Sequence, residues 1–208
     1  YDWGVQPEQV IEEAVGYADE GYTACKVRIG TEWSWDGVTV ARFVGLMREL
    51  KETVGDRMEL MVEGNQRLSE EQAMELALEL DRMGFIWFEE PIPQANIDGY
   101  VRLNAAVKMP ISGGEQYTTL ERFEPCLQRG AYGIVQPDAG MCGITEAMRI
   151  GRRAHEFGVD LCPHNWHNGL MTMANAHLVA ALPNPRVLEL CSIQGPLQWA
   201  ILKEPPVI

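Results

Sequence analysis

Three glutamates, Glu63, Glu89 and Glu115, each stand at the end of a short, mostly apolar run, at intervals of about 25 residues. Asp138, His164 and Glu189 continue the series at similar steps, and Lys26 and Arg28 belong to an earlier run of the same kind. A charged group at the end of a buried segment is costly unless it is paired or bound to metal. Three carboxylates brought together would repel one another strongly unless a hard divalent cation neutralised them. An oxygen-only donor set points to magnesium rather than to a softer metal.

The elements that must position these groups follow from the hydrophobic period. Pro7 suits a first helical turn, and Val10, Ile11, Ala14, Val15 and Ala18 follow at helical spacing, so the pattern predicts a helix that ends near Gly21. Strand-like runs are expected at 23–29, 58–63, 85–89, 111–115, 133–136, 159–162 and 187–190, with helical stretches between them, such as 37–53. Strands separated by helices need crossover connections, which implies a parallel sheet. The repeat fits a (β/α)8 TIM-like barrel, in which about 250 residues make eight units and strand ends converge on one mouth. An open doubly wound sheet is disfavoured, because no Gly-x-Gly-x-x-Gly follows a strand. The expected fold is therefore α/β, a partial barrel with about seven of eight strands over residues 1–208.

Composition narrows the class of partner. The chain is 46% apolar and 23% charged, as in an ordinary soluble globular protein. Its net charge of -13 argues against nucleic acid and anionic membranes, so an anionic substrate would need a local cation. No apolar run reaches the ~20 residues that span a bilayer, and no signal-peptide pattern is found, so a cytoplasmic protein is expected. Cys25, Cys126, Cys142, Cys162 and Cys191 are scattered and form no Cys-x-x-Cys pair; they read as reduced core residues.

Glu63-Gly64-Asn65, Glu89-Glu90-Pro91 and Gly113-Gly114-Glu115 resemble the three metal-ligand motifs of the mandelate racemase and muconate lactonizing branch of the enolase superfamily. Lys26-Val27-Arg28 falls on that family's Lys-x-Lys position, and Asp138, His164 and Glu189 fall on its polar residues after the sixth, seventh and eighth strands. The resemblance implies the family's C-terminal barrel domain, with Mg2+ held by Glu63, Glu89 and Glu115. It implies an enzyme that removes the proton α to a carboxylate on a small-molecule substrate, as enolase-superfamily sites do. His164 is then the general base, with Asp138 fixing its tautomer, and Lys26 and Arg28 are electrostatic contacts. Glu189 would hydrogen-bond the substrate carboxylate or supply a proton, and Asn65 and His167 are candidate substrate contacts. Glu90 should point away from the ligand set, Trp33 and Trp35 read as packing, and His155 and His177 as structural.

The sequence departs from the family pattern twice. Arg28 stands where related racemases carry a second base, and arginine effectively never deprotonates. Dehydration of an acid sugar to a 2-keto-3-deoxy acid is therefore expected ahead of a racemase or epimerase reaction, or of a catalytically silent metal-binding fragment. Glu63 stands where the family usually has aspartate. The chain is expected to be a single-domain fragment, without the family's N-terminal capping domain and first barrel strand, of a full-length protein that forms homo-oligomers.

Overall fold

The computed structural model describes residues 7–29, 39–166, 168–192, 195 and 197–204. The chain forms two compact units, Tyr1–Ser112 and Gly113–Ile208. The first contains α1 (Pro7–Asp19), β1 (Ala24–Arg28), α2 (Val40–Val54), β2 (Glu59–Glu63), α3 (Glu70–Met83), β3 (Trp87–Glu89) and α4 (Ile97–Ala106), and ends within β4 (Ile111–Gly113). The second continues with α5 (Leu120–Arg129), β5 (Ile134–Val135), α6 (Ala139–Cys142), α7 (Ile144–Glu156), β6 (Asp160–Leu161), α8 (Gly169–Ala181) and α9 (Leu197–Ala200). Strand order follows chain order in each unit, β1 to β4 in the first and β5 to β6 in the second, with crossover helices joining the parallel strands.

In the first unit, β1 to β4 pair in parallel. Leu60, Met61 and Val62 of β2 are all buried, so both faces of this strand are covered, as in parallel sheets flanked by helices. The helices contribute one stripe each: Phe43, Met47 and Leu50 of α2, with Leu76 and Leu80 of α3, are fully buried. Helix limits are set chemically. Ser69 and Gln72 form a capping box at the start of α3, and Gly84, at φ 76°, closes it in the left-handed region.

In the second unit, β5 and β6 pair in parallel, and the Gln136 N–H donates to the Gly113 carbonyl of β4. Phe123, Ile134, Ala147, Ile150, Ala154 and Leu161 form a fully buried core. The strand expected at 187–190 is not formed. Leu161 N–H donates to Asn184 O, and Arg186 N–H donates to Leu161 O at 2.8 Å, giving one isolated parallel bridge between Leu161 and Pro185. The next donor of such a ladder would be residue 163, and Pro163 has no N–H, so pairing stops there. The thiols also differ from expectation: Cys126 and Cys162 are buried core residues, but Cys25, Cys142 and Cys191 are only half-buried.

The turn after β2 packs closely against the backbone that follows β3. A Cβ on Gly64 would lie 2.7 Å from Pro91 Cα and 2.9 Å from Glu90 O, both backbone atoms that cannot swing aside. Gly64→Ala should therefore lower stability by about 1–3 kcal/mol, the usual range for overpacking. Gly16→Ala, in the middle of α1, would place its methyl group in open space and should instead raise stability by up to about 1 kcal/mol. Urea midpoints of the two variants check the contrast; a wild-type midpoint for Gly64→Ala would show that the loops do not approach so closely.

Candidate active site

Register places the first set of polar groups. Arg28 lies opposite Glu63, Glu63 opposite Glu89, and Glu89 opposite Ser112. Residues aligned across a parallel sheet share a face, and Lys26, two positions before Arg28, shares it as well. Glu63 is 5% and Glu89 1% exposed. Two buried carboxylates need compensating charge, and β1 supplies it. Arg28 grips Glu63 with a two-point fork, Nε to Oε2 at 2.9 Å and Nη2 to Oε1 at 3.0 Å, and Asn65 Nδ2 adds a third bond to Oε1 at 3.0 Å. Lys26 Nζ donates to Glu89 Oε1 at 2.5 Å, and the Trp87 indole donates to Glu89 Oε2 at 3.2 Å. Burial pushes the Glu63 carboxyl up, but the Arg28 fork, the charges of Lys26 and Arg28 and the Asn65 bond outweigh it and hold the group below the usual carboxylate range. The two positions at which the sequence departs from the family pattern, Arg28 and Glu63, are thus bonded to each other.

One oxygen of Glu63 and one of Glu89 lie within 4.8 Å of each other, so both could reach a single small cation. The donors are oxygen only, which suits a hard divalent ion. The loops behind them are strained: Asn65, Gln66 and Glu90 have φ of 46°, 61° and 35°, a region that non-glycine residues seldom occupy. Such strain persists only where surroundings enforce it. Here Gln66 N–H donates to Glu90 O, Gln66 Nε2 to Glu90 Oε2 at 2.8 Å, and Gly64 N–H to Glu89 O. Glu90 itself is fully buried and faces Gln66, as strand alternation predicts for the neighbour of Glu89.

The second unit brings together Glu115, Asp138 and His164. Asp138 and His164 each follow their strand, β5 and β6, by three residues. Asp138 is fully buried and caps α6 through Oδ1, which accepts Gly140 N–H at 2.7 Å; its Oδ2 lies 2.8 Å from His164 Nδ1. A carboxylate can only accept, so Nδ1 keeps its proton and Nε2 is the nitrogen that titrates between imidazolium and neutral imidazole. Nε2 lies 3.4 Å from Glu115 Oε2. Burial pushes the imidazole pKa down, but the Asp138 hydrogen bond and the charges of Glu115, Glu189 and Asp138 prevail and raise it to about 9.

Glu189 sits beside this set. Its Oε2 accepts Asn165 N–H at 3.1 Å, and its backbone carbonyl accepts Asn165 Nδ2 at 2.7 Å. Asn175, fully buried on α8, donates to His164 O and to Asn165 Oδ1, and Asn165 Nδ2 also reaches Thr172 Oγ1. This brace on the His164 loop was not foreseen in the sequence. Its signal was present: Thr172 and Asn175 are polar residues three apart on a helix that is otherwise apolar except for His177, and each needs a partner when buried. Trp87 was missed because an aromatic residue in a strand reads first as core. His155 and His177 lie exposed on α7 and α8, whereas His167, Trp33 and Trp35 fall outside the described residues.

Residues 9–208 match the enolase C-terminal domain-like family. The chain is 30% identical over 195 residues to D-galactarolactone cycloisomerase of Agrobacterium fabrum, covering 89% of this chain and 50% of the relative. It is 30% identical over 198 residues to arabinonate dehydratase of Saccharolobus solfataricus, covering 95% and 51%. The crystal structure of a mandelate racemase/muconate lactonizing enzyme from Sulfitobacter sp. superposes with a TM-score of 0.83 at 29% identity, over 93% of this chain and 50% of that one. The chain therefore spans about half the length of these relatives. No described helix is long and apolar enough to cross a membrane.

The raised His164 pKa has a thermodynamic consequence. A group that binds its proton more tightly when folded stabilises the fold fully below its unfolded pKa, near 6.5, and loses that contribution as pH rises through about 9. In EDTA, the melting temperature should fall between pH 6.5 and 9 by an amount reflecting on the order of 3 kcal/mol. His164→Asn should flatten that slope, and an unchanged slope in this variant would show that another group titrates.

Proposed function

Because the chain belongs to the enolase C-terminal domain-like family, we propose that it carries the proton-abstraction machinery of a magnesium-dependent acid-sugar dehydratase. Glu63, Glu89 and Glu115 are the residues that would hold the ion. When bound, Mg2+ supplies Lewis-acid stabilisation of charge developing on the substrate carboxylate, worth several kcal/mol in such sites. The observation that carries the reading is the line from Asp138 through His164 Nδ1 to Nε2 and on to Glu115 Oε2, at 2.8 and 3.4 Å. It sets the titrating nitrogen of an oriented imidazole beside a proposed ligand carboxylate.

In the proposed reaction, His164 Nε2 takes the α-proton of the acid sugar and the C–H electron pair passes into an enolate. Collapse of the enolate expels the β-hydroxyl, which takes the proton from the imidazolium and departs as water. The resulting enol becomes a 2-keto-3-deoxy acid. Asp138 stabilises the imidazolium, Lys26 and Arg28 balance the carboxylate charge, and Glu189 with Asn165 holds the loop. The resemblance to arabinonate dehydratase supports this outcome. A cycloisomerase reaction is the second reading, favoured by the likeness to D-galactarolactone cycloisomerase, and shares the first proton transfer.

The test is a screen of the complete protein with Mg2+ against acid sugars in deuterium oxide. Formation of a 2-keto acid is the expected result, and His164→Asn should lower the rate by about 10²–10⁴-fold, the usual contribution of a positioned base. Product isomeric with the substrate, with no loss of water, would replace dehydration by isomerisation. Full activity in His164→Asn would overturn the assignment of the base.

A further inference from the structure

We infer that Arg28 is a positioning residue that presents Glu63 to a cation through one oxygen, so that Arg28, Glu63 and Asn65 work as a unit. This deepens the proposed function and rests on its metal site. An ionised carboxylate offers about four lone-pair positions, two on each oxygen. Arg28 Nη2 and Asn65 Nδ2 occupy both positions on Oε1, and Arg28 Nε occupies one on Oε2. One position on Oε2 remains. A cation can therefore approach with the arginine fork in place, and the fork fixes which oxygen it meets.

The geometry is rigidly defined on both sides. Arg28 and Glu63 are register partners on β1 and β2, and Ile29 N–H donates to Glu63 O at 2.9 Å, so the two backbones cannot slide without breaking the ladder. Glu63 is nearly enclosed, whereas the Arg28 side chain keeps 30% of its surface exposed. The planar guanidinium makes two parallel bonds that a lysine ammonium cannot reproduce, so the role depends on shape as well as charge. Arg28 adds a positive charge beside the cation site and orients the ligand at the same time. The orienting effect should dominate, because groups that hold a ligand in place commonly govern 10–100-fold of metal affinity.

A double-mutant cycle on the full-length protein, read by Mn2+ binding in electron paramagnetic resonance, tests the unit. Arg28→Lys keeps the charge and loses the fork, and Glu63→Asp shortens the carboxylate away from it. Arg28→Lys should weaken Mn2+ binding about 10-fold or more in the otherwise wild-type protein, and about 2-fold or less once Glu63→Asp is present. Equal losses in both backgrounds, or unchanged or tighter binding by Arg28→Lys, would overturn the positioning role while leaving the metal site standing. No Mn2+ binding by the wild-type protein would overturn the metal site and this inference together. Melting curves in EDTA verify that each variant is folded, and Asn65→Asp, which removes the third donor, should mimic Arg28→Lys in direction.

Discussion

Buried carboxylates cannot be left without opposite charge, and the architecture of both units answers that constraint. Glu63 and Glu89 are almost wholly enclosed, where an unpaired ion would cost several kcal/mol. The first unit meets the cost with Arg28 and Lys26, both on the neighbouring edge of the same sheet face. The second unit meets it differently, with the fully buried Asp138 set against an imidazole and the N-terminus of α6. In each case the charge is matched before any substrate arrives, which is what electrostatic preorganisation requires.

The parallel sheet makes this matching possible at little conformational cost. Arg28, Glu63 and Glu89 fall on one line because register, rather than side-chain flexibility, aligns them. The polar residues then emerge where the strands end and the backbone is freed from ladder pairing. The positive φ angles of Asn65, Gln66 and Glu90 show that the loops beyond β2 and β3 are held in uncommon shapes. Hydrogen bonds between the two loops hold them there, and Gly64 leaves room for the close crossing at Pro91. Rigid strands and interlocked loops together give the short distances that chemistry at this face would need.

Much of this was legible in the sequence because buried strands and charged strand ends leave strong marks. The β1 to β6 runs were placed within a few residues, and the spacing of Glu63, Glu89, Asp138 and His164 survived as geometry within each unit. The seventh run was not visible as a failure, since 187–190 has good strand composition; the obstacle is Pro163 on the partner, a long-range effect that composition does not carry. The partners of Arg28 and Lys26 were likewise hidden. A sequence shows that two cations lie near the end of a strand, but their targets depend on register with β2 and reach toward β3. The Asn165, Thr172 and Asn175 brace shows the same limit, because a polar residue in an apolar helix announces that it needs a partner without naming it.

The Arg28 fork also bears on stereochemistry in the proposed reaction. A two-base racemase needs a proton acceptor on each face of the α-carbon, and the Arg28 guanidinium, bonded to Glu63 through Nε and Nη2, is no such acceptor. Lys26 is a second cation on that face, and its ammonium is engaged with Glu89 at 2.5 Å. In the proposed reaction the base is therefore His164, whose Nε2 is the nitrogen not committed to Asp138. One base on one face is what an elimination or a cycloisomerisation requires, and it is one fewer than two-base racemisation needs.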